Sequence, residues 1–216
     1  MFDAPAARRL LRSSLHVLEV VLLVVGLGAG GWFVFVRADA AVANHRDRAR
    51  LRAMTAAAAD VRSTPASHRV PAVVPPVAPG APIGELSLAR VGISTVVRQG
   101  DSDEILRLGA GHIPGTALPG QAGNIGIAGH RDTIFRALRH VHAGDLISLA
   151  TPAGHFQYQV VWTRTVAPTD VGVLAPTTRH ALTLVTCYPF YFVGHAPKRF
   201  VVRAVAAPAT VQASDN

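Results

Sequence analysis

The chain begins with a long, nearly unbroken apolar stretch. Residues 20–36, VVLLVVGLGAGGWFVFV, are 17 residues without a charged side chain. Extended back to Leu15, the stretch would measure roughly 33 Å as a helix, which matches a hydrocarbon core of about 30 Å. Aromatic side chains, which are favoured at the membrane interface, lie near its far end: Trp32, Phe33 and Phe35. The pattern therefore predicts a transmembrane anchor over residues 15–36.

The charges around this stretch indicate its orientation. Three arginines within residues 1–14 favour a cytoplasmic N-terminus, although five more follow the stretch between residues 37 and 52. A cleaved signal peptide is the alternative, because Ala38-Asp39-Ala40 has the small-x-small pattern of a cleavage site. However, the apolar stretch exceeds the usual apolar region of a signal peptide, about 7–15 residues, and Arg37 separates it from that site. We therefore expect an uncleaved, single-pass anchor in the cell membrane, with the rest of the chain on the extracytoplasmic side.

Two segments of different texture follow the anchor. Residues 37–62 are rich in Ala and Arg, which are good helix formers, and predict a juxtamembrane helix. Residues 63–82 contain six prolines, and proline is compatible with neither a helix interior nor a central strand. This segment predicts an extended, semi-rigid spacer.

From residue 83 onward, short β-rich runs alternate with turn signals every eight to twelve residues. In FQYQVVW, residues 156–162, the apolar side chains recur with a period of two, which is typical of a half-buried strand. Short helices are predicted over residues 103–108 and 133–141. The predicted strands are residues 83–88, 93–98, 124–128, 145–149, 156–162, 181–186 and 200–205. Many short strands with few helices indicate a closed barrel or a sandwich over residues 83–206, followed by a flexible tail, residues 207–216.

Composition narrows the function. The 216 residues are 50% apolar and 16% charged, which excludes a fully disordered chain. The formal net charge of +8 is spread along the chain rather than clustered on one element, so we expect no nucleic-acid partner. The single cysteine, Cys187, excludes a disulfide framework and a cysteine-rich metal site. We predict no cofactor and no required metal, because the acids at 101, 103 and 104 are explained more simply by a helix N-terminus.

Two side chains stand out as candidates for chemistry. Cys187 follows the apolar run ALTLVT and precedes Tyr188-Pro189, so it lies where a strand ends. His130 also follows a predicted strand, NIGIAG at residues 124–129, whose small residues permit close approach. A cysteine with a histidine partner is a nucleophile in many enzymes, whereas a lone buried cysteine is most often a small apolar side chain. Thr186 and His112 are weaker candidates, for which structural roles are more natural.

Four stretches of the sequence resemble the sortase family of cysteine transpeptidases. They are NIGIAGHRDTIFRAL at 124–138, GDLISL at 144–149, TLVTCYPF at 183–190 and APKRFVVRA at 196–204. The family pattern is a strand-end His, a Thr-Leu-x-Thr-Cys signature and an Arg on the following strand. The Cys-Tyr-Pro-Phe continuation and GHIPGT at 111–116 most resemble class D, with class E next. The resemblance implies a sortase-type closed β-barrel of about eight strands.

The resemblance also implies a reaction and its partners. Cys187 would be the nucleophile, His130 the general acid and base, and Arg199 the group that stabilises the oxyanion or positions the substrate. The substrate would be a surface protein with a C-terminal LPXTG-like sorting signal, cleaved after Thr. The acyl group would pass to an amine of the cell wall, such as a peptidoglycan precursor, or of another protein. In the family, the sorting signal binds near a connection between two strands. The resemblance places that connection at residues 169–178 of this chain.

Two alternatives stay open at this point. A hydrolase of the same fold differs only in using water rather than an amine to release the thioester. A non-catalytic surface scaffold would keep Cys187 buried and unreactive. The arginine at 199 also has a simpler explanation, because an arginine in a strand often meets only an acid or solvent.

Overall fold

The alternating pattern after residue 82 forms a closed β-barrel in the computed structural model, which describes residues 4–63, 77–192 and 194–207. The described residues form eight strands, arranged around the barrel in the order β1-β2-β3-β4-β7-β8-β6-β5. Their bounds are β1 Pro82–Leu88, β2 Ile93–Gln99, β3 Ala110–His112, β4 Asn124–Ala128, β5 Leu146–Thr151, β6 Gly154–Val166, β7 Ala181–Tyr188 and β8 Lys198–Ala206. The predicted fold class, a mostly β closed barrel of about eight strands with short helices, is confirmed.

Three neighbouring strands, β4, β7 and β8, carry the sequence candidates. Strand β4 runs parallel to β7, and β7 runs antiparallel to β8. Their alternate side chains fill the barrel core: Ile125, Ile127, Leu182, Leu184, Val202 and Ala204. Because side chains alternate along a strand, the residues between them point to the outer face of the barrel. Thr183, Cys187 and Arg199 are among these outward-facing residues.

The structure differs from the predicted elements in three places. Strand β3 is absent from the prediction, because three residues are too few to show a period. The helix predicted over residues 103–108 is present as α2, Asp103–Leu108, whereas residues 133–141 contain only a 3-10 turn, Arg136–His140. In β6, a bulge between Val160 and Trp162 shifts the register, so that Trp162 pairs with outward-facing Arg203 instead of continuing the inner face.

The N-terminal part is one long helix, α1, Ala4–Ser63. It includes a stretch, His16–Ala57, with an 18-residue window of mean hydropathy 2.2 that is entirely unburied, so it is long and apolar enough to cross a membrane. The chain divides into two compact units, Met1–Val42 and Ala43–Asn216. The second unit contains the barrel together with the C-terminal part of α1, whereas the predicted catalytic domain begins at residue 83. Most of the predicted spacer (64–76) and nearly all of the predicted tail (208–216) lie outside the described residues.

Within the second unit, one face of α1 packs on the outer side of β2. The less exposed positions between residues 43 and 51 are 43, 44, 47, 48 and 51, which is the spacing of a single helix face. Arg98 of β2 is 2% exposed and its guanidinium pairs with the Asp47 carboxylate at 2.7 Å. A second Arg98 hydrogen bond reaches the Asn44 side-chain oxygen at 3.1 Å. This segment of the helix therefore covers the barrel wall formed by β2.

Candidate functional site

Cys187 and Arg199 face each other across the β7–β8 pair. They are direct partners in the antiparallel register, at the end of β7 and near the start of β8. Directly opposite residues in such a pair have Cβ atoms about 5 Å apart. Both side chains are half-buried and lie on the outer face of the barrel. The register alone therefore holds the sulfur and the guanidinium as neighbours.

His130 reaches the same level from the other side. In the parallel β4–β7 register, Ala128 pairs with Val185, so two further residues on each strand bring His130 level with Cys187. The pairing continues past the end of β4, because the Gly129 N–H donates to the Val185 carbonyl at 3.2 Å. Strands β7 and β8 and the segment that follows β4 thus bring a thiol, a guanidinium and an imidazole to one height on the outer face.

The turn that leads into His130 is fixed by its neighbours. The Thr186 hydroxyl, which is 2% exposed, donates to the Gly129 carbonyl at 2.7 Å. A Cβ added at Gly129 would lie 2.6 Å from the ring of Phe135, so only glycine fits between the strand end and this core side chain. Thr186 acts on the backbone beside His130 and supports the turn.

A groove of about 410 Å³ runs along this face, and His130, Cys187 and Arg199 all line it. Its floor contains the small or apolar outward residues of β4, β7 and β8: Ala128, Val185 and Val201. One wall is the connection between β6 and β7, including the 3-10 turn Val171–Leu174. Apolar side chains supply most of its lining, with the polar groups of the candidate residues among them, which is suited to binding part of a peptide.

The contacts of Arg199 bear on the alternative that it meets only an acid or solvent. Its Nη1 donates to the backbone carbonyls of Ala196 at 3.2 Å and Lys198 at 3.1 Å. Among the described residues no carboxylate forms an ion pair with Arg199. The positive charge beside Cys187 is therefore not neutralised by a described acid, and backbone carbonyls hold the guanidinium in position.

The loop that follows the cysteine is tied back to the segment after His130. Arg131 Nη2 donates to the carbonyls of Phe192 at 2.8 Å and Gly194 at 2.9 Å. The ring of Tyr191, which is 69% exposed, lies 5.2 Å from the Arg136 guanidinium carbon. Nothing local in the sequence indicates these contacts of Arg131, because its partners lie about 60 residues away along the chain.

The turn Val171–Leu174 is a large part of the groove wall, and none of its residues was among the predicted site residues. Leu174 packs against β4 at Gly126. A Cβ added at Gly126 would lie 3.1 Å from the Leu174 Cδ2 atom, so glycine permits this close contact. The available signals were the run of small residues in NIGIAG and the family position of residues 169–178. Asp101, Asp103 and Asp170 also line the groove, and these acids had no predicted role there.

His112 is not among the residues that line the groove. It is 2% exposed in β3, and its Nε2 lies 3.0 Å from the Ala117 carbonyl, which it contacts as a hydrogen-bond donor when neutral. Burial lowers the pKa of His112, and the hydrogen bond with Ala117 only partly opposes this effect. Among the described residues, no group of three or more His, Cys, Asp or Glu side chains is arranged to hold a metal ion.

Comparison with known proteins agrees with this geometry. A family model described as a sortase domain matches residues 86–207. The chain is 34% identical over 122 residues to sortase D of Bacillus subtilis (strain 168), which covers 55% of this chain and 61% of that protein. It is 31% identical over 109 residues to sortase A of Listeria monocytogenes, covering 49% of each. The chain thus spans less than two thirds of either curated relative.

A solved structure shows the same likeness. A sortase D5 transpeptidase of Clostridium perfringens superimposes with a TM-score of 0.56 at 29% identity, over 62% of this chain and 83% of that chain. The resemblance to class D that the motifs indicated is confirmed by these relatives.

Proposed function

Because the chain belongs to the sortase family, a family of cysteine transpeptidases, we propose that it cleaves an LPXTG-like sorting signal after Thr and transfers the acyl group to an amine. The observation that carries this proposal is that Cys187, His130 and Arg199 lie at a common height and line the same groove. Nucleophile, proton carrier and cation then surround one acyl carbon. Such convergence is what an acyl-transfer reaction requires.

The first half-reaction forms a thioester. The Cys187 thiolate attacks the carbonyl carbon of the bond after Thr, and the carbonyl oxygen becomes an oxyanion. The Arg199 guanidinium stabilises this charge. When the intermediate collapses, the C–N bond breaks and protonated His130 gives its proton to the leaving amine.

The second half-reaction releases the product. An incoming amine attacks the thioester carbonyl, neutral His130 takes a proton from the amine, and the C–S bond breaks to restore the thiolate. His130 therefore acts as an acid in one half and as a base in the other. The same steps with water in place of the amine would give hydrolysis.

The N-terminal helix supports a membrane location. We propose that residues 15–36 span the lipid bilayer once, that residues 1–14 are cytoplasmic, and that the barrel faces the extracytoplasmic side. There it would meet a surface protein that carries the sorting signal and an amine acceptor, either a peptidoglycan precursor or another protein. Residues 37–62 and 63–82 would then be the juxtamembrane helix and spacer of the predicted domain order.

The test uses the full chain in detergent micelles, because residues 44–51 of α1 contribute to the barrel wall. A library of LPXTG-like peptides is offered with a set of amine acceptors, and products are identified by mass spectrometry. We expect a new amide product that is absent with Cys187→Ala. Hydrolysis alone with every amine would contradict transfer, and no alkylation of Cys187 by iodoacetamide at neutral pH would favour a non-catalytic scaffold.

A further inference from the structure

Side chains of β4 and β8 hold the turn Val171–Leu174 through hydrogen bonds. The Val173 carbonyl accepts hydrogen bonds from Asn124 Nδ2 of β4 at 3.2 Å and from Arg203 Nη2 of β8. The same Asn124 amide also donates to the Ala175 carbonyl at 3.3 Å. Two carbonyls of the groove wall are thus anchored on the barrel.

A third strand fixes the orientation of the Asn124 amide. The Thr183 hydroxyl of β7 donates to Asn124 Oδ1 at 2.6 Å. Thr183 is 0% exposed and Asn124 is 2% exposed, so water does not compete for these groups. With Oδ1 occupied as the acceptor, the Nδ2 group must point at the turn. We call Asn124, Thr183 and Arg203 the turn clamp.

Arg203 is unusual for a half-buried cation. No carboxylate among the described residues pairs with it, and its guanidinium carbon lies 5.5 Å from the ring centre of Trp162. Burial lowers the pKa of Arg203. Placing a cation there has a desolvation cost, which the hydrogen bond to the Val173 carbonyl offsets in part, while Arg203 Nε has no partner among the described residues. The Arg203 guanidinium therefore holds the turn through its hydrogen bond to Val173.

The turn clamp does not touch the reacting atoms. Thr183 and Arg203 are register partners, as are Cys187 and Arg199, and the two pairs are separated by four residues along each strand. At about 3.4 Å per residue this separation is about 14 Å. Any influence on the reaction must therefore pass through the turn, where Val171, Val173 and Leu174 line the groove.

From this geometry we propose that Asn124, Thr183 and Arg203 are positioning residues that set the affinity for the sorting peptide. They hold the Val171–Leu174 turn in a preformed position, so that the peptide does not have to order it on binding. Loss of the turn clamp then raises KM and leaves kcat nearly unchanged. This inference rests on the proposed function.

The kinetic test compares two arginines that contact one ring. Arg203→Met removes the bond to the turn, and Arg164→Met removes a guanidinium that lies 4.6 Å from the same Trp162 ring, with no bond from Arg164 to the turn in the structure. We expect Arg203→Met to raise KM for the peptide about tenfold, with kcat within about twofold, while Arg164→Met behaves as the parent. Equal effects of the two variants, or a fall in kcat at unchanged KM, would overturn the proposal.

A second pair of variants guards against simple loss of folding. Thr183→Val is nearly isosteric but lacks the hydroxyl, and Thr183→Ser keeps it. We expect the valine variant to raise KM and the serine variant to restore it toward the parent value, with iodoacetamide alkylation of Cys187 equally fast in both. If serine fails to rescue, the hydroxyl is not the positioning group and the turn clamp is wrong.

Hydrogen exchange separates this inference from the proposed function. The Ala175 N–H donates to the Gly172 carbonyl at 3.1 Å, so its exchange reports the stability of the turn. We expect faster exchange of residues 171–175 in Arg203→Met and Thr183→Val than in Arg164→Met. Unchanged exchange would refute the turn clamp even in an active enzyme. Faster exchange in a chain that processes no peptide would refute the proposed function and keep the clamp as a property of the turn.

Discussion

The three proposed catalytic side chains owe their meeting to strand register rather than to contacts among themselves. Arg199 is opposite Cys187 in the β7–β8 pair. His130 follows β4 and lies level with Cys187 when the β4–β7 register is extended. Backbone carbonyls at 196 and 198 hold the guanidinium, so its charge is available to a developing oxyanion. A fixed cation beside the acyl carbon needs no reorganisation during the reaction.

Removing that cation tests the role of Arg199 directly. We expect Arg199→Ala to lower turnover by roughly 10²–10³-fold, the range for losing one oxyanion donor. Lys198→Ala is the matched control, because Lys198 is an exposed neighbour on the same strand and is not among the groove-lining residues. Steady-state turnover of a cleaved peptide measures both. Parent-like turnover in Arg199→Ala would remove this residue from the site.

At the scale of elements, local sequence predicted most of the barrel because seven of its strands carry a visible alternation or an apolar run. It missed β3, which has only three residues, and it continued the FQYQVVW alternation through Trp162 because a bulge leaves no local signal. The strand ends at His130 and Cys187 were visible, since each follows an apolar run. The tether from Arg131 and the turn clamp were not, because hydrogen bonds between distant segments have no period.

His112, buried in strand β3, makes the stability of the fold depend on pH. Burial lowers the pKa of His112, so between its ordinary value near 6.5 and the lower folded value the unfolded chain binds a proton that the folded chain does not. Stability attributable to this group is therefore lost as pH falls below about 6.5. The Nδ1 atom, which has no hydrogen-bond partner among the described residues, would become a buried, unpaired N–H donor on protonation.

We expect His112→Gln to reduce the loss of stability between pH 7.5 and 5.5. Glutamine can keep a donor to the Ala117 carbonyl but does not titrate. His155→Gln, at an exposed position of β6, is the control and should keep the slope of the parent. Denaturant midpoints at the two pH values give the measurement, and an unchanged slope in His112→Gln would contradict the assignment.

At the scale of the whole molecule, the barrel is not complete without part of the helix that precedes it. Arg98 is 2% exposed on the outer side of β2, and its described carboxylate partner, Asp47, lies 51 residues earlier. A second pair joins Arg48 to Glu85 at 2.9 Å, with both side chains about one third exposed. A buried charge depends strongly on its partner, whereas an exposed pair contributes little.

Loss of the buried pair should therefore cost more stability than loss of the more exposed pair. In Asp47→Ala the Arg98 guanidinium keeps only the Asn44 contact and is buried without a counter-charge, so we expect a loss of about 3 kcal/mol in the free energy of unfolding. Glu85→Ala breaks a pair whose side chains are about one third exposed, and Arg48 keeps its hydrogen bond to the Ser94 hydroxyl, so this variant should cost less, about 1 kcal/mol. Full-chain variants in detergent, unfolded with guanidinium chloride, provide both values. The double variant Asp47→Leu with Arg98→Met should recover most of the loss, because apolar side chains of similar size can replace a buried pair. Equal costs for the two single variants would contradict the assignment of Arg98 and Asp47 as the buried pair that fixes the helix on β2.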